Sequence, residues 1–250
     1  MFIDTHCHLS VEDYDDIGLI IKENRDAKID KIIISGCTRN SIDESLKYIS
    51  IYEDVFATIG YHPSEANIVS DDDLKYLESC FSNKKVVGIG EIGLDYHYVD
   101  DNHDEQIALF EKQLSLAEKL KMPVVIHSRD ATKDTIDTLK KYKVTGVIHA
   151  FSGSIETANI YISMGFLIGI GGVVTFKNSK LFEVVKSIGL DHIVLETDSP
   201  YLTPHPFRGM QNSSKYIPII AKRISEVTEK SFEEVSEITG NNAIKMFDLN

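Results

Sequence analysis

The residues best suited to chemistry in this chain are histidines and acids that recur at the ends of short apolar runs. His6 and His8 form a His-x-His pair closing the run Phe2–His6. A strand's period of two sends both imidazoles to one face and Cys7 to the other. Glu91 ends the run Val86–Glu91, His127 ends Pro123–His127, His149 ends Gly146–His149, and Asp198 follows His192–Glu196. Four imidazoles and two carboxylates are a ligand inventory for two divalent ions about 3.5–4 Å apart, with one carboxylate between them. Singly, each has an ordinary reading. The His pair could be hydrogen-bonded strand neighbours, Glu91 a salt-bridge partner, His127 a helix opener, His149 a core histidine and Asp198 a turn former before Pro200. Convergence of all six on one place is what favours metal.

Convergence depends on the elements that carry these residues. Short apolar runs rich in β-formers alternate with longer amphipathic stretches. Besides those above, the predicted strands are Lys31–Ser35, Val55–Gly60 and Phe166–Ile170. Runs such as Lys31-Ile32-Ile33-Ile34 lack strict alternation, the mark of a parallel sheet covered by helices. Between them, Ile107, Phe110, Leu114, Ala117 and Leu120 recur at helical spacing, as do Leu181, Val184, Val185 and Ile188. Eight such units without a linker point to an α/β fold, a (β/α)8 TIM barrel occupying residues 1–250 as one domain; a doubly wound open sheet also alternates. A barrel would bring all six residues to its C-terminal mouth, where such folds do their chemistry. After the eighth strand come C-terminal helices: one with Tyr216, Ile219, Ile220, Arg223, Ile224 and Val227 on or beside one face, a short one opened by the capping box Ser231 and Glu234, and a last segment from Asn242 to Phe247.

Whole-chain properties narrow the classes. A chain of 250 residues buries roughly three quarters of its extended surface, enough for a full core. Lys and Arg total 26 against 39 Asp and Glu, so the formal charge of −13 opposes a broad basic surface for nucleic acid. Metal-mediated contact with phosphate is not opposed, because bound ions reverse the local field. Cys7, Cys37 and Cys80 have no ligand-like spacing and read as free thiols in a reducing compartment. The N-terminus Met1-Phe2-Ile3-Asp4 carries no secretory signal, so a cytoplasmic location is expected. The stretch Thr157–Phe176 is uncharged and of nearly membrane-spanning length, but its glycines fit a helix ending near Gly165 and then a buried strand. No membrane association is expected; no helix is an obvious coiled-coil seam, so the oligomeric state is not read from the sequence, with a monomer slightly favoured.

Eight blocks along the chain carry a specific resemblance: Phe2 to Leu9, Gly60-Tyr61-His62-Pro63, Gly88 to Tyr96, His127 to Ala131, His149-Ala150-Phe151-Ser152-Gly153, Glu196 to Leu202, Phe207-Arg208-Gly209 and Gly240-Asn241-Asn242-Ala243. Over its whole length the chain resembles the TatD family of metal-dependent deoxyribonucleases, within the amidohydrolase superfamily. The resemblance implies a (β/α)8 hydrolase acting on DNA, usually trimming single strands from the 3′ end, with RNA possible. It implies that His6, His8, Glu91 and Asp198 bind one ion, and that Glu91 also touches a second held by His127 and His149. Glu91 would stand where many superfamily relatives use a carboxylated lysine. Two departures are visible. Ala150 replaces the usual Cys, and Gln211-Asn212-Ser213-Ser214 replaces Arg-Asn-x-Pro, which puts substrate preference in question more than activity.

In such a site two metals would acidify a water and neutralise phosphate oxygens. Asp198 is the candidate to orient and deprotonate that water, as ligand, base or both, with Glu91 the second catalytic carboxylate. Arg129 and Arg208 are candidate phosphate partners, or structural salt bridges. His62 would contact substrate or a third ion, or pin its loop. Tyr96, in the run Tyr96-His97-Tyr98, would stack on a base or cover the rim. His103 and His205 are weaker candidates, and His192, at the other end of its strand, is expected to be structural. The ligand mixture suits Zn²⁺ or Mn²⁺, whereas the resemblance favours Mg²⁺. Two rivals remain: a metal-dependent hydrolase of a small-molecule or aminoacyl ester or amide, and a non-catalytic metal-binding protein, against which all six ligands being present counts.

Overall fold

The computed structural model describes residues 1–97 and 101–249. Eight parallel strands alternate with helices in one sheet ordered β1 to β8, a (β/α)8 barrel with additional helices at its C-terminal end. The elements are β1 Phe2–Cys7, α1 Ile17–Asp26, β2 Ile29–Gly36, α2 Arg39–Ile51, β3 Val55–Ile59, α3 Asp71–Cys80, β4 Val86–Asp95, α4 His103–Leu120, β5 Val124–Arg129, α5 Thr132–Leu139, β6 Gly146–Ile148, α6 Ile155–Ser163, β7 Phe166–Ile170, α7 Leu181–Ile188, β8 Ile193–Leu195, α8 Ile217–Thr228 and α9 Phe232–Phe247. The chain falls into two compact units, Met1–Ile34 with His149–Asn250, and Ser35–Ile148.

In the first unit, β8 leads back onto β1. Thr5 Oγ1 donates to Leu195 O at 3.0 Å, His8 N to Ser199 O at 2.7 Å and Asp198 N to His6 O at 3.0 Å. Asp4, fully buried, locks the seam by accepting from Thr197 N at 3.0 Å and Thr197 Oγ1 at 2.6 Å. Leu181, Val184, Val185 and Ile188 are all buried along α7, as their spacing predicted. The uncharged stretch resolves into α6 and β7. Among the described residues no helix is long and apolar enough to cross a membrane. The capping box at Ser231 opens a single 16-residue helix rather than a short one followed by a separate segment. Val235, Thr239, Ala243 and Phe247 are buried at helical spacing throughout it, so no break separates the two stretches.

In the second unit β4 departs most from expectation. Glu91 does not end it; the strand continues to Asp95. The reason is a bulge. Ile89 pairs with Val124 and Ile92 with Ile126, so three steps on β4 face two on β5, and Glu91 lies in the extra length. Glycines permit this. A Cβ on Gly93, at φ +146°, would lie 1.9 Å from His127 O, and one on Gly90 would lie 2.6 Å from Val125 Cβ. The predicted stripe of α4 is also rotated: Gln106 and Gln113 are buried while Ile107 and Leu120 are only half-buried. Each glutamine replaces missing backbone partners. Gln113 bonds Tyr61 N and Tyr61 O at 2.7 and 3.0 Å, and Gln106 bonds Asp95 N and Asp95 O at 2.9 and 2.8 Å.

Candidate metal centre

The first unit assembles four of the expected ligands. His6 and His8, two apart on β1 and just beyond it, bring their Nε2 atoms to 3.3 Å of each other. Asp198 Oδ1 lies 3.7 Å from His6 Nε2 and 3.5 Å from His8 Nε2. His149, directly after β6, stacks on His6 with ring centroids 4.1 Å apart. One ligand atom each from His6, His149 and Asp198 fall within 4.8 Å of one another. Burial pushes the Asp198 carboxyl up, but the surrounding imidazoles outweigh it and hold the group below the usual carboxylate range. Asp198 is therefore an anion at neutral pH. Its backbone sits at φ +53°, fixed by the bond to His6 O and by Tyr201 N donating to Asp198 O at 2.9 Å.

The loop Gln211-Asn212-Ser213-Ser214 is a strut for Asp198. Asn212 is buried and its Nδ2 donates to Thr197 O at 2.8 Å and to Tyr201 O at 2.5 Å, bracketing Asp198 on both sides. Ser213 Oγ donates to Asn24 Oδ1 at 3.1 Å, tying the loop to α1.

The second unit holds Glu91, His127 and His62. His127 Nδ1 is 2.6 Å from Glu91 Oε1, and its Nε2 is 3.2 Å from Asp95 Oδ2. Burial alone would lower this imidazole's pKa, yet hydrogen bonds to Asp95 and Glu91 and their charges raise it to about 9. Cys37 Sγ donates to Glu91 Oε2 at 3.5 Å. His62, after β3, stacks edge-on against His127 at 4.6 Å and points Nε2 toward Glu91 Oε1 at 4.0 Å. Its Nδ1 accepts from Ser64 N at 3.1 Å. A backbone N–H can only donate, so the neutral His62 ring carries its proton on Nε2. That makes His62 a hydrogen-bond donor toward an anion, and a poorer cation ligand despite its proximity to Asp95 and His127.

The remaining candidates make other contacts. Tyr96 N, one residue past β4, donates at 3.0 Å to the carbonyl of Arg129, the last residue of β5. The Tyr96 ring stacks on His103 at 3.6 Å and its hydroxyl donates to Asp134 at 3.1 Å. His97 is paired with Asp130 at 2.8 Å, and Tyr98 lies outside the described residues. Arg208 is exposed, with its guanidinium 4.0 Å over the Phe176 ring. His192 ends a short 3-10 turn before β8.

Three acids that sequence reasoning did not single out take part. Asp95 holds His127, Asp4 holds the Thr197 backbone, and Glu196 stands behind His149 with Oε1 3.8 Å from Nδ1. Glu196 is fully buried and its pKa rises to about 8, chiefly by desolvation; Asp4 rises to about 6 for the same reason. The available signal was an acid interrupting or directly following an apolar strand. The donor chemistry of the whole set fits divalent cations: neutral-capable imidazoles, ionised carboxylates, and buried acids behind the rings to orient them.

Comparison with known proteins agrees. The sequence model of the family "TatD related DNase" matches residues 3–248. The chain belongs to the TatD-related DNase family. It is 41% identical over its full length, and that of its relative, to the uncharacterized metal-dependent hydrolase YabD of Bacillus subtilis. It is 30% identical to the Escherichia coli metal-dependent hydrolase YjjV, covering 99% of this chain and 98% of the relative. The crystal structure of YjjV superposes with a TM-score of 0.91, covering 100% of this chain and 98% of that one. A TatD-family hydrolase from Entamoeba histolytica, 23% identical, shares the fold at a TM-score of 0.87, with 98% and 97% covered. This TatD-family chain is accordingly a metal-dependent hydrolase whose clustered histidines and acids provide for divalent ions.

Proposed function

We propose that this hydrolase cleaves phosphodiester bonds in DNA, as a 3′-to-5′ exonuclease preferring single strands and using two divalent ions. The observation that carries the reading is the donor set of His6, His8, His149 and Asp198 in one unit and of Glu91 and His127 in the other. His6, His8, Glu91 and Asp198 would hold one ion and His127 and His149 a second, with Glu91 shared as the family resemblance implies. Bound there, the ions would supply Lewis-acid charge against the phosphate and acidify water.

The chain's own groups have distinct tasks in this reading. Asp198 is ionised, and takes the proton from the attacking water at Oδ1 or Oδ2. His6 and His8, within 3.7 Å of Asp198 Oδ1, orient that carboxylate. His62, locked as an Nε2–H donor by Ser64, binds a non-bridging phosphate oxygen. Arg129 and Arg208 contact flanking phosphates, and Tyr96 supplies an aromatic rim for a base.

The test uses metal-stripped protein and a single-stranded oligonucleotide labelled at either end, with Mg²⁺, Mn²⁺ or Zn²⁺ returned separately. A metal-dependent ladder from the 5′ label, with the 3′ label released as mononucleotide, is expected. Asp198→Asn should lower kcat at least about a hundredfold, the scale of losing a general base, with its unfolding transition retained. Wild-type-like turnover by that variant would overturn the role of Asp198. No cleavage with any metal would transfer the reading to a small-molecule or aminoacyl ester hydrolase.

A further inference from the structure

A cleft of about 960 Å³ opens in the first unit, walled by the loops following β6, β7 and β8. That is the upper end of the roughly 300–1,000 Å³ typical of ligand pockets. Its wall includes Phe176, Lys177, Lys180, His205 and Arg208, with Glu156 and Glu183 also lining it. Three permanent cations against two acids reverse the balance of the whole chain, where 26 basic residues face 39 acidic ones. Lysines elsewhere are commonly occupied, as Lys141 is by Glu111 at 2.7 Å and Lys215 by Glu23 at 2.7 Å. Among the described residues, no carboxylate pairs with Lys177, Lys180 or Arg208; Arg208 instead lies on the half-buried Phe176 ring.

The walls are built rather than adventitious. Backbone meets backbone between the loops after β7 and β8: a Cβ on Gly172 would lie 2.2 Å from Leu202 O and 3.1 Å from Pro204 N. His205 N donates to Thr175 Oγ1 at 2.8 Å across the same junction. The loop after β6 begins with His149 and reaches the cleft at Ser152, and the loop after β8 carries both Asp198 and Arg208. The cleft is therefore made from the segments that also deliver two of the candidate metal ligands.

Three cations, an aromatic ring topped by a guanidinium, and apolar lining from Ile155, Val173, Leu181 and Val184 match a polyanion with flat apolar groups. Single-stranded binding sites combine those features, cations tracking the backbone and aromatic rings taking bases. We infer that this cleft seats the single-stranded nucleic acid flanking the scissile bond, with Phe176 as a stacking platform and Lys177, Lys180 and Arg208 as phosphate partners. The inference rests on the nuclease reading above and adds to it the place where the strand is held.

The probe is a 5′-fluorescent ten-residue oligothymidylate with cleavage-resistant phosphorothioate linkages, and a ribose version of it, titrated with Mg²⁺-supplemented protein by anisotropy. Lys177→Gln with Lys180→Gln should raise Kd at least tenfold at 0.1 M salt. It should also reduce the slope of log K against log salt by about 1.4, at about 0.7 per phosphate contact on a single strand. Phe176→Leu should weaken binding about tenfold and Phe176→Tyr should restore it. Lys222→Gln with Lys245→Gln, the same charge change on exposed positions of α8 and α9, should leave Kd within about twofold.

Unchanged binding by the cleft variants, or equal weakening by the control pair, overturns the inference even if the wild-type protein cleaves DNA. Failure of the wild-type protein to bind either oligonucleotide overturns it as well. Binding that is lost in the cleft variants, from a protein that cleaves no DNA with any metal, upholds the cleft and removes the nuclease reading.

Discussion

In the metal-free protein at pH 7 His127 carries a proton, and a metal ion that takes this imidazole has to expel it. Glu91 Oε1 sits 2.6 Å from Nδ1 and Asp95 Oδ2 sits 3.2 Å from Nε2, so both ring nitrogens face carboxylates and both act as donors. Burial opposes the charge, but the two acids prevail and raise the pKa to about 9. At pH 7 the neutral ring is about one part in a hundred, a handicap of about 3 kcal/mol on any ion that uses it as a ligand. Apparent affinity at this ion should rise about tenfold per pH unit from pH 6.5 toward 9 and then level off. Close to one proton should leave this imidazole for each ion bound at pH 7.

Calorimetric titration of the metal-stripped protein in two buffers of unlike ionisation enthalpy counts those protons, and a competing chelator gives the affinity across the pH range. Asp95→Asn removes one of the raising carboxylates, so the pH at which affinity levels off should move down. That midpoint is the decisive readout, because Asp95 also orients the ring and its loss alters absolute affinity. An affinity that stays flat from pH 6.5 to 8.5 without proton release would refute the reasoning, as would an Asp95→Asn midpoint that coincides with wild type.

Two further outcomes follow from the interior. Gly93→Ala should destabilise the protein by about 3 kcal/mol or more in urea unfolding, because the new Cβ would lie 1.9 Å from His127 O in a left-handed backbone; a loss under about 1 kcal/mol would mean β4 and β5 can separate freely. Glu196 is raised from 4.5 to about 8, so its contribution to stability is complete below pH 4.5 and is lost as pH rises through 8. In chelator, wild type should therefore lose a few kcal/mol between pH 5 and 8.5 that Glu196→Gln does not lose, and parallel pH–stability curves for the two proteins would contradict the burial of that acid.

The fold was legible because parallel strands and their covering helices write themselves as runs and stripes, and β7 and α7 came out where the pattern put them. The candidate ligands His6, His8, His149 and Asp198 drew notice because they lie at or just beyond strand ends, where an apolar run has no reason to stop in histidine. What sequence could not display was the bulge in β4. Its signal, glycines at 88, 90 and 93, reads equally as a strand terminus, and only the register of Ile89 and Ile92 against β5 shows the strand going on to Asp95. Gln106 and Gln113 were hidden for a related reason. A helical stripe is scored on apolar residues, yet a buried amide that satisfies a strand-end N–H and C=O occupies the same face.

Net charge is the sequence property most open to misreading in this chain. The formal −13 treats every acid as ionised and every charge as equally placed. Asp4, with a pKa of about 6, and Glu196, with one of about 8, are held toward their neutral forms by burial, so not all of that charge is expressed in the metal-free interior. Other acids serve local structure, such as Asp71, Asp72 and Asp73 in the first turn of α3, where they favour the helix N-terminus. The cleft beside the β6, β7 and β8 loops carries the opposite balance, three cations to two acids. A phosphodiester approaching within a Debye length of about 10 Å responds to that local field far more than to the total. An acidic chain is therefore no argument against a nucleic-acid substrate when its cations are unpaired and gathered where the strand would lie.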